Sequence, residues 1–167
     1  CTSARAISDD QSALRRASGF SSDWAQRSID SYHYRSTATR FSVNPLGVKK
    51  DVYTSNDLSE DLNWDAVWDV ATRVDSAGWV AEYRIPLSQF RFGSSAGPRT
   101  WGFQVQRDIA RRNERDTWSP WTPNDPGFVS RFGDLVGVID LPSPSRLEVM
   151  PSVSPRFTAP PGHPAAP

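Results

Sequence analysis

The feature that most constrains this chain lies at residues 67–85. Trp68, Val70, Thr72 and Val74 alternate with Val67, Asp69, Ala71 and Arg73. After Asp75-Ser-Ala-Gly78 the alternation resumes, with Trp79, Ala81, Tyr83 and Ile85 against Val80, Glu82 and Arg84. A period of two puts successive side chains on opposite faces of a strand, whereas a helix would scatter these aromatics around its circumference. Gly78 supplies the backbone freedom of a tight turn, so 67–75 and 79–85 are predicted to be the arms of a hairpin. Pro86 has no N–H to give a ladder and ends the second arm.

The same reading extends in both directions. Residues 24–30, 37–43 and 48–54 are predicted to form a three-strand meander, with a polar link at 31–36. The turn Asn44-Pro-Leu-Gly47 has a mechanism: Asn opens it, Pro presets φ, and Gly closes it. Residues 101–109 alternate Trp101, Phe103 and Val105 with Gly102, Gln104 and Gln106, and 132–139 supply a last strand. An acidic loop at 55–66, a helical turn at 87–90, a Gly/Ser/Pro loop at 93–98 and a long Trp/Pro loop at 111–127 separate these elements. Short strands between turn signals predict an all-β antiparallel sandwich, each sheet burying its aromatic face and turning the other to water. Residues 1–23 are expected to be a poorly ordered leader or remnant with at most a short helix, and 24–140 the sandwich domain. Residues 141–167 are expected to be a Pro-rich linker opening a downstream segment, with a short two-sided strand at 147–157.

Composition bounds the partners. The 167 residues give room for one domain, and 7 Trp, 8 Phe and 4 Tyr supply the core that a disordered chain lacks. With 19 basic and 19 acidic residues there is no whole-chain attraction to nucleic acid, which is not an expected partner. One Cys excludes an internal disulfide and a cysteine-rich zinc site. No apolar run approaches the ~20 residues of a membrane helix. No Gly-rich phosphate loop is present, and His33, between Tyr32 and Tyr34, has no nucleophile motif beside it and reads as a turn residue.

A set of short motifs goes further. Asp30-Ser-Tyr-His-Tyr-Arg is followed by Phe41-x-Val-Asn-Pro-x-Gly47-Val, Trp64-Asp-x-Val-Trp68 and Gly78-Trp-x-Ala-Glu82-x-x-Ile-Pro86-x-x-x-Phe-Arg-Phe92. Then come Trp101-Gly-x-x-x-x-Arg107, Arg112-x-Glu114 and Trp118-x-Pro. Together, over about residues 24–150, they resemble the N-terminal domain of bacterial surface proteins, a domain like carbohydrate-binding module family 9, followed in that family by an outer-membrane β-barrel. The resemblance implies a jelly-roll-type sandwich, a place in the bacterial cell envelope (periplasm, outer membrane or cell surface) and, by analogy, a carbohydrate ligand. It also implies an incomplete N-terminus, because the family domain has further strands upstream of the position of Trp24, where this chain has the polar stretch 1–23.

A sugar ring stacks its C–H face on a flat aromatic while polar neighbours bond its hydroxyls. Trp79 and Trp101 sit within alternating strands and read as core; Trp24 also reads as core. Trp64, Trp118 and Trp121 lie in polar loops, and with Arg112 and Glu114 they are the candidate carbohydrate-binding residues. Glu82 and Arg107 are expected to form a structural ion pair. No cofactor is expected. Calcium is the one metal the acidic loop could serve, through Asp57, Asp61 and Asp65, although their spacing fits no EF-hand. The expected function is a noncatalytic carbohydrate-binding module of a cell-envelope protein. The competing readings are a structural appendage of a downstream outer-membrane barrel with no sugar ligand, and a glycoside hydrolase-associated domain, which would need two carboxylates in one cleft.

Overall fold

The computed structural model describes residues 22–93, 97–139 and 141. The expectations for residues 1–21 and for the strand at 147–157 fall outside them. Among the described residues the regular structure is β-strand with three single 3-10 turns. The strands are β1 (Trp24–Asp30), β2 (Ala38–Val43), β3 (Lys49–Ser55), β4 (Ser59–Asp61), β5 (Asp69–Asp75), β6 (Gly78–Arg84), β7 (Arg99–Ile109), β8 (Glu114–Thr117) and β9 (Gly133–Val138). A seven-stranded antiparallel sheet runs in the order β4-β3-β2-β1-β7-β8, and β9 also pairs with β7. The β5–β6 hairpin is a separate two-stranded sheet. The architecture is all-β and sandwich-like.

Local chemistry sets the register. Asn44 Oδ1 accepts the Leu46 and Val48 N–H groups at 3.0 and 2.9 Å, and Gly47 adopts φ +80°, so the β2–β3 turn closes as its sequence requires. In the hairpin Asp75 pairs with Gly78 and its carboxylate caps the Ala77 N–H at 2.9 Å. Strand β7 holds the large sheet together. One edge pairs with β1 from Gly102 to Asp108, and the other is divided between β9, near Arg99–Phe103, and β8, near Gln106–Ile109.

The hairpin, with residues 64–68 and 85–92, covers one face of the large sheet. Phe41, Trp68, Phe90, Phe92 and Trp101 form that core, and Trp68 stacks on Tyr83 with centroids 5.7 Å apart. Tyr83 also reaches across the layers: its hydroxyl donates to the Ala25 carbonyl at 2.7 Å, and burial pushes its pKa up to about 12. Strand β5 starts at Asp69 and not at Val67, because the N–H groups of Ala66 and Val67 go to the side chains of Asp51 and Gln89 in place of a ladder.

The opposite face departs from the expectation that it meets water. Gln26, Ser28 and Asp30 of β1, Ser42 of β2, Thr54 of β3 and Gln104, Gln106 and Asp108 of β7 are all buried. Hydrogen bonds hold part of that face. Gln26 Nε2 donates to Asp108 at 2.9 Å, Arg115 clamps the same carboxylate through two N–H groups at 2.6 and 3.0 Å, and Gln104 exchanges two 2.8 Å bonds with the Ser119 backbone. Arg40 donates to Glu60 at 2.7 Å, and Lys50 is held below the usual lysine range by burial and by the nearby Arg40 charge. At the end of this face nearest Ala38, a smaller cluster of Phe128, Val129 and Phe132 folds back over the sheet. Two strands were not expected: β4 inside the acidic loop and β8 inside the 111–127 loop. Both are short and polar, and only pairing to a longer neighbour makes them strands.

Candidate functional site

The structure separates the three loop tryptophans. Trp64 is half-buried, edge-on to Phe41 at 5.8 Å and 6.4 Å from Tyr53. Trp121 packs against Phe128 at 5.2 Å, and its indole N–H donates to the Gly127 carbonyl at 2.8 Å, so it anchors the loop. Trp118 is 58% exposed and lies over Gly133, where an added Cβ would come within 2.4 Å of its ring. Arg112 and Glu114 flank the left-handed Asn113 and form an exposed ion pair at 3.6 Å. No hydrogen bond, ion pair or ring contact joins that pair to any of the three indoles.

The other sequence candidates are also dispersed. Glu82 lies on the outer face of the hairpin and Arg107 on the large sheet; both are exposed, and no ion pair joins them. The distinction lies in which way the strand faces: Glu82 points opposite to Tyr83, which is the residue that reaches β1. Asp57 receives the N–H groups of Phe128 and Ser130 at 2.9 Å each and the Ser130 hydroxyl at 2.8 Å. Burial opposes its ionisation, but these donors outweigh it and hold the carboxyl below its ordinary value. Gly127 (φ +81°) makes this docking feasible, since a Cβ there would meet the Asp57 carboxylate at 2.2 Å. Asp61 and Asp65 are exposed, Asp61 accepts the Asn63 N–H at 2.9 Å, and no group of three or more metal-ligating side chains occurs among the described residues.

Two recesses flank the aromatic core. The first, about 230 Å³, has Trp64, Tyr32 and Tyr53 as aromatic walls, with Thr37, Gln89 and Arg91 among the polar groups around them. The turn after β1 presents Tyr32. His33 and Arg35 take left-handed φ values of 57° and 59°, Arg35 N–H bonds the Asp30 carboxylate at 2.7 Å, and Tyr32 stacks on Tyr34 at 5.0 Å. Asp134 ties the turn down. His33 Nε2 lies 3.0 Å from its Oδ1, Arg35 bonds the same oxygen, and the His33 bond followed by the Arg35 charge holds this carboxyl below its ordinary value. The hydroxyls of Tyr32, Tyr53 and Thr37 and the Arg91 guanidinium make no hydrogen bond to other described residues. The recess therefore offers apolar walls with unengaged donors and acceptors, the combination a sugar ring requires.

The second recess, about 520 Å³, lies between the hairpin tip and strands β1 and β7, and Trp79 lines it with Arg27 and Arg107. Sequence reading placed Trp79 in the core because its strand alternates. The available signal was its position next to Gly78, at the free end of a two-stranded sheet, where the layer above the large sheet stops. Tyr32 and Tyr53 were missed because the reading weighed only tryptophans in loops.

Comparison of the chain with protein-family models, with curated proteins and with solved structures finds no match.

Proposed function

We propose that this domain is a noncatalytic carbohydrate-binding module that holds a sugar ring in the recess of Trp64, Tyr32 and Tyr53. The supporting observation is the composition of that recess: three aromatic side chains, with Thr37, Gln89 and Arg91 beside them and no carboxylate among the described residues that line it. Such a wall grips a ring but provides neither an acid nor a nucleophile for cleaving it. A location in the bacterial cell envelope, beside a downstream barrel, belongs to the same reading and rests on the sequence resemblance.

The test is a screen of neutral xylo- and cello-oligosaccharides by tryptophan fluorescence and calorimetry. Binding is expected to weaken by about tenfold in Tyr32→Ala and Arg91→Ala, neither of which removes a core side chain. Trp64→Phe, which preserves packing on Phe41, is expected to bind more weakly while folding normally. Absence of binding to every glycan, in a protein that unfolds cooperatively, would leave the barrel-appendage reading in its place.

A further inference from the structure

We infer that the recess at the hairpin tip is a second sugar subsite, selective for a ring that carries a carboxylate, as in a uronate unit of an acidic polysaccharide. The inference rests on the saccharide-binding reading and adds a charge requirement that the Trp64 recess lacks.

The argument begins with the β1–β7 register. Ala25 pairs with Arg107 and Arg27 with Val105, so Arg27 and Arg107 share one face as diagonal cross-strand neighbours, a spacing of about 7–8 Å between their backbones. Like charges so placed repel unless an anion lies between them. Neither cation forms an ion pair with an acid among the described residues. Asp116 stands opposite Arg107 across the β7–β8 ladder but forms no ion pair with it. Asp75, on the rim, is engaged by the Ala77 N–H and by Arg73 at 3.4 Å. Glu82 points away on the outer face of the hairpin. Arg107 makes no hydrogen bond, ion pair or ring contact with any described residue.

Arg27 is pre-positioned. Its guanidinium lies 5.4 Å from the centroid of the Tyr83 ring, and one N–H donates to the Gln26 carbonyl at 3.1 Å, leaving other N–H groups of the fork for a ligand. Trp79 lines the same recess from the hairpin, and Gly78 beside it adds no side chain to the mouth. The volume, about 520 Å³, lies within the range of small-molecule sites, roughly 300–1,000 Å³. An indole and two guanidiniums lining one recess match a ligand with an apolar ring face and a carboxylate. A neutral sugar would leave the two cations uncompensated.

The experiment compares tri-galacturonate with a neutral xylo-oligosaccharide on wild-type protein, Arg107→Ala, Trp79→Ala and Tyr32→Ala. Arg107 is exposed and unpaired, so its removal leaves the fold intact. Tri-galacturonate is expected to bind wild type, to lose about tenfold in affinity in Arg107→Ala, and to weaken as salt rises from about 50 to about 500 mM. Arg107→Lys is expected to recover part of the loss, because charge returns without the fork. Tyr32→Ala is expected to spare acidic binding and weaken neutral binding. Neutral binding with no acidic binding overturns the inference and leaves the broader reading intact. Acidic binding that is indifferent to Arg107 and Trp79 also overturns it. A cinnamate or benzoate probe that competes equally well would show that the site takes ring carboxylates generally and would overturn the assignment to sugar. Failure of both glycans overturns both readings.

Discussion

The two faces of the seven-stranded sheet are buried by different physics. Under the hairpin, Phe41, Trp68, Phe90, Phe92 and Trp101 exclude water by apolar contact. On the reverse face, Gln26, Gln104 and Asp108 are as buried as those aromatics, but bonds of fixed direction hold them. Apolar contact tolerates small shifts of position, whereas a buried amide or carboxylate loses its partner if it moves by an ångström. The aromatic side therefore leaves irregular recesses at its margins, where packing runs out. The polar side fixes the register that places Arg27 beside Arg107.

The largest expected effect tests the aromatic side. Phe41 is fully buried, and Phe41→Ala is expected to cost about 3–5 kcal/mol in denaturant unfolding. A cost under about 1 kcal/mol would mean the hairpin is not packed as described. On the polar side, Asp108→Ala removes the acceptor of both Gln26 and Arg115 and is expected to cost about 1–3 kcal/mol, discounted because Arg115 is partly exposed and can return to water. A second substitution, Arg115→Ala, should then add little.

Tyr83 is the polar contact within the aromatic layer. Its folded pKa, about 12, lies above its ordinary 10.0, so the folded state holds the proton more tightly. Its contribution is complete below about pH 10 and is lost as pH rises toward 12. Tyr83→Phe is expected to cost about 1 kcal/mol at neutral pH and to flatten alkaline unfolding over that window. The smallest effect is on the reverse face. Ser28 Oγ is buried with no hydrogen-bond partner, so Ser28→Ala is expected to change stability by no more than about 0.5 kcal/mol, or to raise it. A large loss would show that this hydroxyl is engaged.

Much of the fold was legible because a period of two survives in the sequence wherever one face is aromatic. The hairpin, the meander and the Asn44 turn follow from residues close together in the chain. The buried reverse face was not legible, because alternation shows that Gln104 and Gln106 share a face but not whether that face meets solvent. Strand β8, Glu-Arg-Asp-Thr, carries no strand signal of its own and exists through β7. Of the candidate site, Trp64 was legible as an indole in a polar loop. Its partners Tyr32 and Tyr53 were not, since β1, β2 and β3 bring them together only after pairing. Trp79 was misplaced because the sequence does not show where the upper layer ends.

Strand β7 pairs with one neighbour from Gly102 to Asp108 on one edge and with two on the other, and this makes its length more critical than its composition. Replacing a single side chain there disturbs the contacts of that side chain alone. Adding or dropping one residue before Gln104 would reverse the parity of everything after it, turning the glutamines toward the oily layer and Val105 toward the amide lattice. In evolutionary terms, residues 99–109 should resist a change in their count more strongly than a change in any one side chain.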